Sequence, residues 1–451
     1  MHYTALHGEM RDFKHDTQHE PQKPLKPLSQ RVLLMLGIAG LAILLGLSTE
    51  RIGAQFRPIA SHDTAPEPSV PAIPGPGPAS STFAAPAPIA QPQSKSTATN
   101  PTAPPPAMTA NTSGFGISVG DDFSGLSEAQ LGARLDAIVA LGITWLRFDA
   151  DWSYIQREQG GAYNWRVIDR IVVAAHTRGL QVLPILDFSP WWAHDPECGS
   201  SRCQPSDPMQ FAAFAGAAAV HFAPQGVHDW EIWNEPNIVR FWQPAPDPAA
   251  YARLLEDASA AIKKADPSAQ VISGGLASAE TSDGNIAPVD FLQALYTDGA
   301  GPSFDAVGFH PYSFPALPSY PAQWNAWQEM AATNPSLRSV MVAHGDSAKK
   351  IWITEFGAPT GGPGAGADVG DYNLADNPDH VSEALQALIL TDAVTQVREL
   401  SFAGPLFWYT YIDLGTDPGT TENFYGLLRY DGSKKPAFDA LMQALGKAIK
   451  L

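Results

Sequence analysis

Short apolar runs alternate with longer amphipathic stretches from Gly114 to the end of the chain. The short runs predict strands, and the longer stretches, whose apolar residues recur at helical spacing, predict helices. The predicted strands are Phe115–Val119, Thr144–Asp149, Gln181–Leu186, His228–Trp233, Val271–Gly274, Ala306–His310, Lys350–Glu355 and Leu406–Tyr411. The predicted helices are Ser127–Leu141, Trp165–Arg178, Met209–Phe222, Pro248–Ala265, Ala287–Tyr296, a less regular stretch at Ala322–Met330, His380–Val397 and Lys435–Ile449.

Eight consecutive strand–helix units predict an α/β protein whose residues 113–451 form a (β/α)8 TIM barrel with enlarged loops. An open, doubly wound sheet is the alternative, although such sheets rarely contain eight units in succession. The active sites of these barrels lie above the carboxyl ends of the strands, so the residues at those ends are the candidates for chemistry.

The N-terminal quarter of the chain differs in pattern and predicts separate parts. An uncharged, mostly aliphatic run, Val32–Leu47, extendable to Thr49, is near the shortest length that spans a bilayer. More basic residues precede it than follow it, which predicts a cytoplasmic tail at residues 1–31 and an inner-membrane anchor at 32–49. The rest of the chain would lie in the periplasm or outside the cell. A cleaved signal peptide, which would give a secreted protein, is the alternative.

Residues 50–112 are rich in Pro, Ala, Ser and Thr and show no apolar periodicity, so they predict a disordered linker. Cys198 and Cys203 are the only cysteines of the chain. In an exported protein they predict a disulfide that closes a small loop, with two free thiols as the alternative. No metal site is predicted, because no further Cys accompanies them, and no cofactor is predicted.

Charge restricts the partners. The chain carries 46 acidic and 28 basic residues, a formal net charge of −18. Nucleic acid requires a basic surface, so it is not expected as a partner. Acidic polymers are also disfavoured as substrates.

Two predicted strands each deliver a glutamate to the barrel mouth. The first belongs to Asp-Trp-Glu-Ile-Trp-Asn-Glu-Pro-Asn at 229–237, in which Asn234 and Glu235 end the strand. Pro236 disfavours the helical region for the preceding residue, which predicts an extended Glu235. The second belongs to Lys-Ile-Trp-Ile-Thr-Glu-Phe-Gly at 350–357, which ends near Glu355. A single strand-end Glu is more often a surface or capping carboxylate, but two at matching heights predict a catalytic pair.

Paired carboxylates across a cleft are the arrangement that glycoside cleavage uses. We interpret Glu235 as the general acid/base and Glu355 as the nucleophile, with Asn234 hydrogen-bonded to the sugar 2-hydroxyl. Arg147 would keep Glu355 ionised, and Tyr312 would orient it. Trp408, or a tryptophan of the loop after the third strand such as Trp191, would stack on a sugar ring.

Three of these residues have alternative interpretations. Arg147 could form a buried ion pair with Asp149 or Asp151. His310, taken alone, is typical of a hydrogen-bonded core histidine. Trp191 and its neighbour Trp192 could pack against the disulfide loop.

Several motifs resemble those of the clan A retaining glycoside hydrolases, namely Trp-Asn-Glu-Pro-Asn at 233–237 and Ile-Thr-Glu-Phe-Gly at 353–357. Leu-Arg-Phe-Asp at 146–149, Asn-Trp-Arg-Val-Ile-Asp at 164–169 and Phe-His-Pro-Tyr at 309–312 are similar to family 39. That family includes β-xylosidases and the membrane-tethered glycosidase of the Psl biofilm exopolysaccharide system. The resemblance implies the roles given above for Asn234 and the two glutamates, and it implies that His310, Tyr312 and Trp408 surround the −1 sugar.

The predicted function is therefore a retaining glycoside hydrolase that cleaves β-linkages of a bacterial exopolysaccharide in endo fashion, by double displacement. The anchor and linker resemble the exopolysaccharide type, and no accessory β-sandwich is expected after Leu451. The expected partners are the polysaccharide, the inner membrane and exopolysaccharide synthesis or export machinery. The alternatives are an exo-acting β-xylosidase-like enzyme and a catalytically weak polysaccharide-binding factor of an export system.

Overall fold

The computed structural model describes residues 114–372 and 378–446. The predicted tail, anchor and linker at 1–112 lie outside the described residues. Within the described ranges, no helix combines the length and the apolar character that a membrane crossing needs.

Eight parallel strands close into a barrel, which confirms the predicted fold of the main domain. In chain order the barrel strands are β1 (Phe115–Ser118), β2 (Trp145–Asp151), β3 (Gln181–Asp187), β4 (Asp229–Asn234), β5 (Gln270–Ala277), β6 (Ala306–His310) and β7 (Lys350–Phe356), followed, after the short strands β8 (Gly366–Ala367) and β9 (His380–Val381), by β10 (Ala403–Tyr409). Around the barrel each strand pairs with its neighbour in the chain, and β10 pairs with β1.

Ten helices are described, and the longer ones surround the barrel. They are α1 (Glu128–Ala140), α2 (Trp152–Ile155), α3 (Arg166–His176), α4 (Pro208–Phe222), α5 (Pro248–Ala265), α6 (Pro288–Thr297), α7 (Ala326–Ala331), α8 (Leu337–Ala343), α9 (Glu383–Glu399) and α10 (Pro436–Ala444). Local sequence sets several starts: Ser127 and Gln130 form a reciprocal capping box before α1, and Asp207 and Asp247 cap helices whose first residue is proline.

Two predicted helices differ from the structure. The irregular stretch at Ala322–Met330 is helical only in its second half, where α7 begins, and the unpredicted short helix α8 follows it. The helix predicted to start at His380 begins instead after Ser382, whose hydroxyl accepts a hydrogen bond from the Leu385 amide. His380 and Val381 pair with Gly366 and Ala367 in a separate two-stranded sheet. The N-cap therefore ends one element and starts the next.

The lower part of the barrel interior is filled by an apolar cluster of Trp145, Leu183, Ile272, Ala306, Trp352 and Phe407. Trp145 and Trp352 meet edge to face, with ring centroids 5.4 Å apart. Glycine is required at position 116, because a Cβ there would lie 2.2 Å from the Phe407 ring. Since side chains alternate along a strand, Trp145, Arg147 and Asp149 of β2 share one face. The apolar cluster is thus followed upward by charged side chains.

The long loop after β3 contains the predicted disulfide. Cys198 and Cys203 are bonded, with their Cα atoms 6.2 Å apart, which confirms the pairing. The loop also contains Trp191 and Trp192.

Candidate active site

Arg147 is the centre of the polar layer above the apolar cluster. Its side chain is fully buried. The guanidinium donates to Glu231 at 2.6 and 3.2 Å, to Glu355 at 2.5 Å and to Asn234 Oδ1 at 3.0 Å. A guanidinium donates through several N–H groups in a rigid plane, so one residue can fix three others. Arg147 therefore does pair with carboxylates, but with Glu231 and Glu355 instead of the Asp149 or Asp151 of the alternative interpretation.

Glu231 is a residue of the site that the sequence analysis missed. It is fully buried in β4, and besides Arg147 it accepts a hydrogen bond from the Gly275 amide at 2.9 Å. The sequence did contain a signal for this role, because Glu231 is a charged residue inside the mostly apolar strand Asp229–Asn234. A carboxylate buried in such a strand requires a partner. Glu231 holds Arg147 from the side opposite its contact with Glu355.

Glu355 lies where a carboxylate is kept ionised. Tyr312 donates to its second oxygen, Oε2, at 2.9 Å. Burial acts to raise the pKa of the Glu355 carboxyl, but the charges of His310 and Arg147 and the hydrogen bonds from Arg147 and Tyr312 outweigh it, so the pKa falls below its ordinary value. Burial and the neighbouring Glu355 charge raise the pKa of Tyr312 far above its ordinary value, so the phenol remains a donor.

Glu235 is not extended, so the prediction made from Pro236 is wrong. Its φ is +45°, and Trp233 has a φ of +69°. These left-handed residues interrupt the alternation of β4, so that Trp233 packs outward against Trp242 while Asn234 reaches Arg147. The Glu235 amide donates to the Gly275 carbonyl at 3.1 Å, a tertiary contact that helps hold this strained backbone.

His310 connects the two glutamates. Its ring is fully buried, with Nδ1 3.0 Å from Glu235 Oε1 and Nε2 3.0 Å from the Thr354 hydroxyl. The same Nδ1 lies 3.9 Å from Glu355 Oε2. These two glutamate oxygens are therefore at most about 7 Å apart, so the two carboxyl groups face the same cleft at close range.

A cleft of about 610 Å³ opens above these groups. Asn234, Glu235, Tyr312 and Glu355 line it, together with Tyr409 and Tyr425. Because Arg147 occupies the oxygen of the Asn234 amide, the amide nitrogen of Asn234 is oriented as a donor toward the cleft. The geometry thus provides one carboxylate held ionised, a second one near it and an amide donor.

Trp408 does not line the cleft, so the predicted stacking surface is corrected. Its side chain is 3% exposed and packs on Phe356, and its indole donates to the Tyr425 carbonyl at 3.3 Å. Neighbouring side chains on a strand point to opposite faces. The aromatic ring of this strand that reaches the cleft is therefore the next one, Tyr409.

Trp191 lies outside the cleft that holds the glutamates. It is 67% exposed, and its indole donates to the Arg157 carbonyl at 3.1 Å. Together with Tyr154, which is 65% exposed, it lines a separate depression of about 520 Å³. Trp192 instead packs edge to face on Trp152, with ring centroids 5.3 Å apart.

The lowered pKa of Glu355 predicts a pH effect. If Glu355 must be ionised, activity is present above its pKa and is lost as the pH falls through it. We expect the acidic limb of the kcat/KM profile, which reports the free enzyme, to lie below the ordinary glutamate value of 4.5. Tyr312→Phe removes a hydrogen bond to the charged form and should move this limb to higher pH. Two results would contradict the requirement for an ionised Glu355. One is an acidic limb that stays unchanged in Tyr312→Phe, and the other is a wild-type kcat/KM profile whose acidic inflection lies above pH 4.5.

The closed barrel with a glutamate at the end of β4 and another near the end of β7 is the arrangement that retaining glycoside hydrolases use. The chain belongs to the cellulase family (glycosyl hydrolase family 5), whose sequence model matches residues 107–374. The resemblance to clan A is thereby confirmed.

The chain is also similar to individual proteins, including members of family 39. A "Beta-xylosidase" of Geobacillus stearothermophilus is 32% identical over 155 residues, which cover 31% of this chain and 29% of the relative. A family 39 glycoside hydrolase from Bacteroides cellulosilyticus WH2 has a TM-score of 0.56 at 22% identity, over 73% of this chain and 63% of that one. A family 39 β-xylosidase from Caulobacter crescentus has a TM-score of 0.53 at 20% identity, over 74% and 71%. The two structures establish the shared fold.

Proposed function

We propose that the enzyme cleaves internal β-linkages of a bacterial exopolysaccharide by double displacement. Glu355 attacks the anomeric carbon while Glu235 transfers a proton to the departing glycosidic oxygen. The resulting glycosyl ester is hydrolysed by a water molecule whose proton returns to Glu235. The observation that carries the division of roles is the setting of Glu355, which accepts hydrogen bonds from Arg147 and Tyr312. Among the described residues, the Glu235 carboxyl has one hydrogen-bond partner, His310.

The remaining polar residues would act on the −1 sugar. The Asn234 amide would donate to the 2-hydroxyl, a contact that strengthens as positive charge develops in the transition state. His310 would hold Glu235 in place through the 3.0 Å contact to Nδ1. Tyr409 and Tyr425, in place of Trp408, would form the aromatic wall of this sugar site.

Endo action is supported by the surface beyond the cleft. Tyr154 follows β2 and Trp191 follows β3, so both lie at the barrel mouth. Arg157 joins the two rings: its guanidinium lies 5.7 Å from the Tyr154 ring centroid, and its carbonyl accepts from Trp191. Two exposed rings held in place at the barrel mouth can bind sugar units far from the scissile bond. The relative named a β-xylosidase favours exo action as the second candidate.

Tyr154→Ala/Trp191→Ala tests the endo proposal. For a polysaccharide that the wild type cleaves, we expect kcat/KM to fall about tenfold, because roughly 1.4 kcal/mol of sugar stacking on the two rings is lost. Activity on a short aryl glycoside, which cannot reach these rings, should stay unchanged. The control is Val220→Ala, which shortens an exposed apolar side chain on α4.

Product size separates the two candidate functions. Wild-type enzyme, incubated with a panel of β-linked polysaccharides that includes xylan, should release oligosaccharides of intermediate length at the start of the reaction. Release of monosaccharide from the outset would favour exo action. So would a Tyr154→Ala/Trp191→Ala variant whose kcat/KM falls equally on the polysaccharide and on the aryl glycoside.

We further propose that residues 32–49 hold the enzyme in the inner membrane, with the catalytic domain in the periplasm or outside the cell. The support is the sequence alone, through the uncharged run at Val32–Leu47 and the basic residues before it. N-terminal sequencing of the membrane-fraction protein tests this, since a chain that starts beyond residue 50 would mean a cleaved signal.

A further inference from the structure

The lining of the cleft is more acidic than the catalytic pair requires. Asp121, Asp122, Asp149, Asp187 and Glu422 line the cleft, compared with two basic residues, Arg202 and Arg240. Arg240 is paired with Glu422 at 2.9 Å, and Asp122 is paired with Arg134 at 2.8 Å. In the described part of the chain Asp121, Asp149 and Asp187 have no ion-pair partner.

Asp187 is the most unusual of the three carboxylates. It ends β3, is fully buried, and neither of its oxygens has a hydrogen-bond partner among the described residues. Buried carboxylates are normally paired, because burial removes their hydration. Asp187 therefore has hydrogen-bonding capacity that the described protein groups leave unused, at the wall of the cleft.

Asp149 lies next to Asp187 and is partly exposed to the cleft. Asp151 pairs in register with Asp187, and Asp149 pairs with Ile185 two positions earlier, so the carboxylates occupy upper layers of adjacent strands. Burial raises the pKa of both carboxyls, and the nearby Arg147 charge only partly opposes it. Repulsion by Asp149 and Asp151 adds to the rise at Asp187. A positive charge placed between them would relieve that repulsion.

The chemistry of this wall restricts its ligand. Burial disfavours the ionised form of these two carboxyls, and a cation beside them would stabilise that form as a neutral hydroxyl could not. Once ionised, the carboxylates only accept hydrogen bonds, so the ligand must also donate them. Within residues 114–372 and 378–446, no three or more His, Cys, Asp or Glu side chains are grouped so as to hold a metal ion. The cation that a glycan-cleaving cleft would meet is the ammonium group of an amino sugar.

We propose that Asp149 and Asp187, with Asp121 at the rim, form a subsite for a sugar that carries a free ammonium group. The substrate would then be a β-linked polymer that contains amino sugars without N-acetyl groups. This inference rests on the proposed function, because it names the substrate of the same cleft. An N-acetylated sugar has no positive charge, and its amide donates only one hydrogen bond.

Calorimetry with matched oligosaccharides tests the subsite. All proteins are full-length and carry Glu235→Gln to prevent turnover. The probes are a β-1,4-linked glucosamine tetramer and its fully N-acetylated counterpart. We expect the glucosamine tetramer to bind at least about tenfold more tightly, with a preference that weakens as salt is added. Adding Asp187→Asn should reduce the preference to about twofold or less.

The controls separate the subsite from net charge and from misfolding. Asp136→Asn removes the same charge from α1, where Asp136 pairs with Arg178 on the surface, and should leave the preference intact. Asp149→Asn removes the second carboxylate of the subsite, and because Asp149 is partly exposed, this substitution disturbs the fold less than Asp187→Asn. It should also reduce the preference. Equal or tighter binding of the N-acetylated tetramer, no binding of the glucosamine tetramer, or a preference that survives both subsite variants would overturn the proposal.

Failure of the ammonium subsite can be distinguished from failure of the proposed function. Binding is measured without turnover, so an ammonium preference in a protein that cleaves no polysaccharide would sustain the subsite and reject the hydrolase proposal. Cleavage of neutral polysaccharides without an ammonium preference would do the reverse.

Discussion

Replacing Glu355 with Gln is expected to lower kcat/KM by at least about 1,000-fold, because an amide cannot form the glycosyl ester on which the second step acts. The carboxylate that is lost is the one that Arg147 and Tyr312 hold in place, at 2.5 and 2.9 Å. The measurement is steady-state hydrolysis of an aryl β-glycoside that the wild type cleaves.

Glu235→Gln should differ in kind from Glu355→Gln. An aryl glycoside with an acidic phenol needs little protonation to depart, so the ester should still form, and its hydrolysis should become slow. We expect a burst of phenol followed by slow turnover, with azide restoring the rate and yielding the β-glycosyl azide. Glu383→Gln is the matched control, since that carboxylate pairs with Arg429 and does not line the cleft. Near-wild-type activity in Glu355→Gln, or a burst in that variant, would contradict the assignment.

Arg147→Met is expected to have the largest effect on stability. It leaves Glu231 fully buried without its ionic partner, and such losses cost about 3–5 kcal/mol of unfolding free energy. It also removes a charge and a hydrogen bond that lower the pKa of Glu355, so kcat/KM should fall and its acidic limb should move to higher pH. Urea unfolding and the pH–rate profile measure the two effects.

A double variant separates these two consequences. Arg147→Met/Glu231→Gln removes the unpaired charge, while the glutamine can still accept from the Gly275 amide, as Glu231 does at 2.9 Å. We expect it to recover more than about 2 kcal/mol of stability but no activity, since Glu355 still lacks its partner. A double variant as unstable as Arg147→Met, or one with restored activity, would contradict the role given to Arg147.

The sequence was sufficient where a local pattern determines the structure. Alternating strands and helices predicted the barrel, and the glutamates at two strand ends predicted the centre of the site. Arg147 and Tyr312 were also placed next to Glu355 correctly, because residues at the carboxyl ends of barrel strands converge at one mouth.

Tertiary contacts determined what the sequence analysis missed. Pro236 disfavours a right-handed helical Glu235, but the left-handed conformation depends on the hydrogen bond to the Gly275 carbonyl. Trp408 was predicted to face the cleft, which is wrong. Phe407, Trp408 and Tyr409 are all aromatic, so the strand shows no alternation that tells which side chains face the barrel interior. The role of Glu231 was missed because its partner, Arg147, lies on another strand, β2, and the sequence around Glu231 does not indicate that pairing.

The most direct test of the account is to trap the covalent intermediate. The 2-deoxy-2-fluoro analogue of an aryl β-glycoside that the wild type cleaves slows both steps, and with a good leaving group the glycosyl ester accumulates. Mass spectrometry of a proteolytic digest should find the fluorosugar on the peptide that contains Glu355, with Glu235 unlabelled. A label on Glu235 or on another residue, or hydrolysis of the parent glycoside with inversion and without a label, would contradict the assignment of Glu355 as the nucleophile.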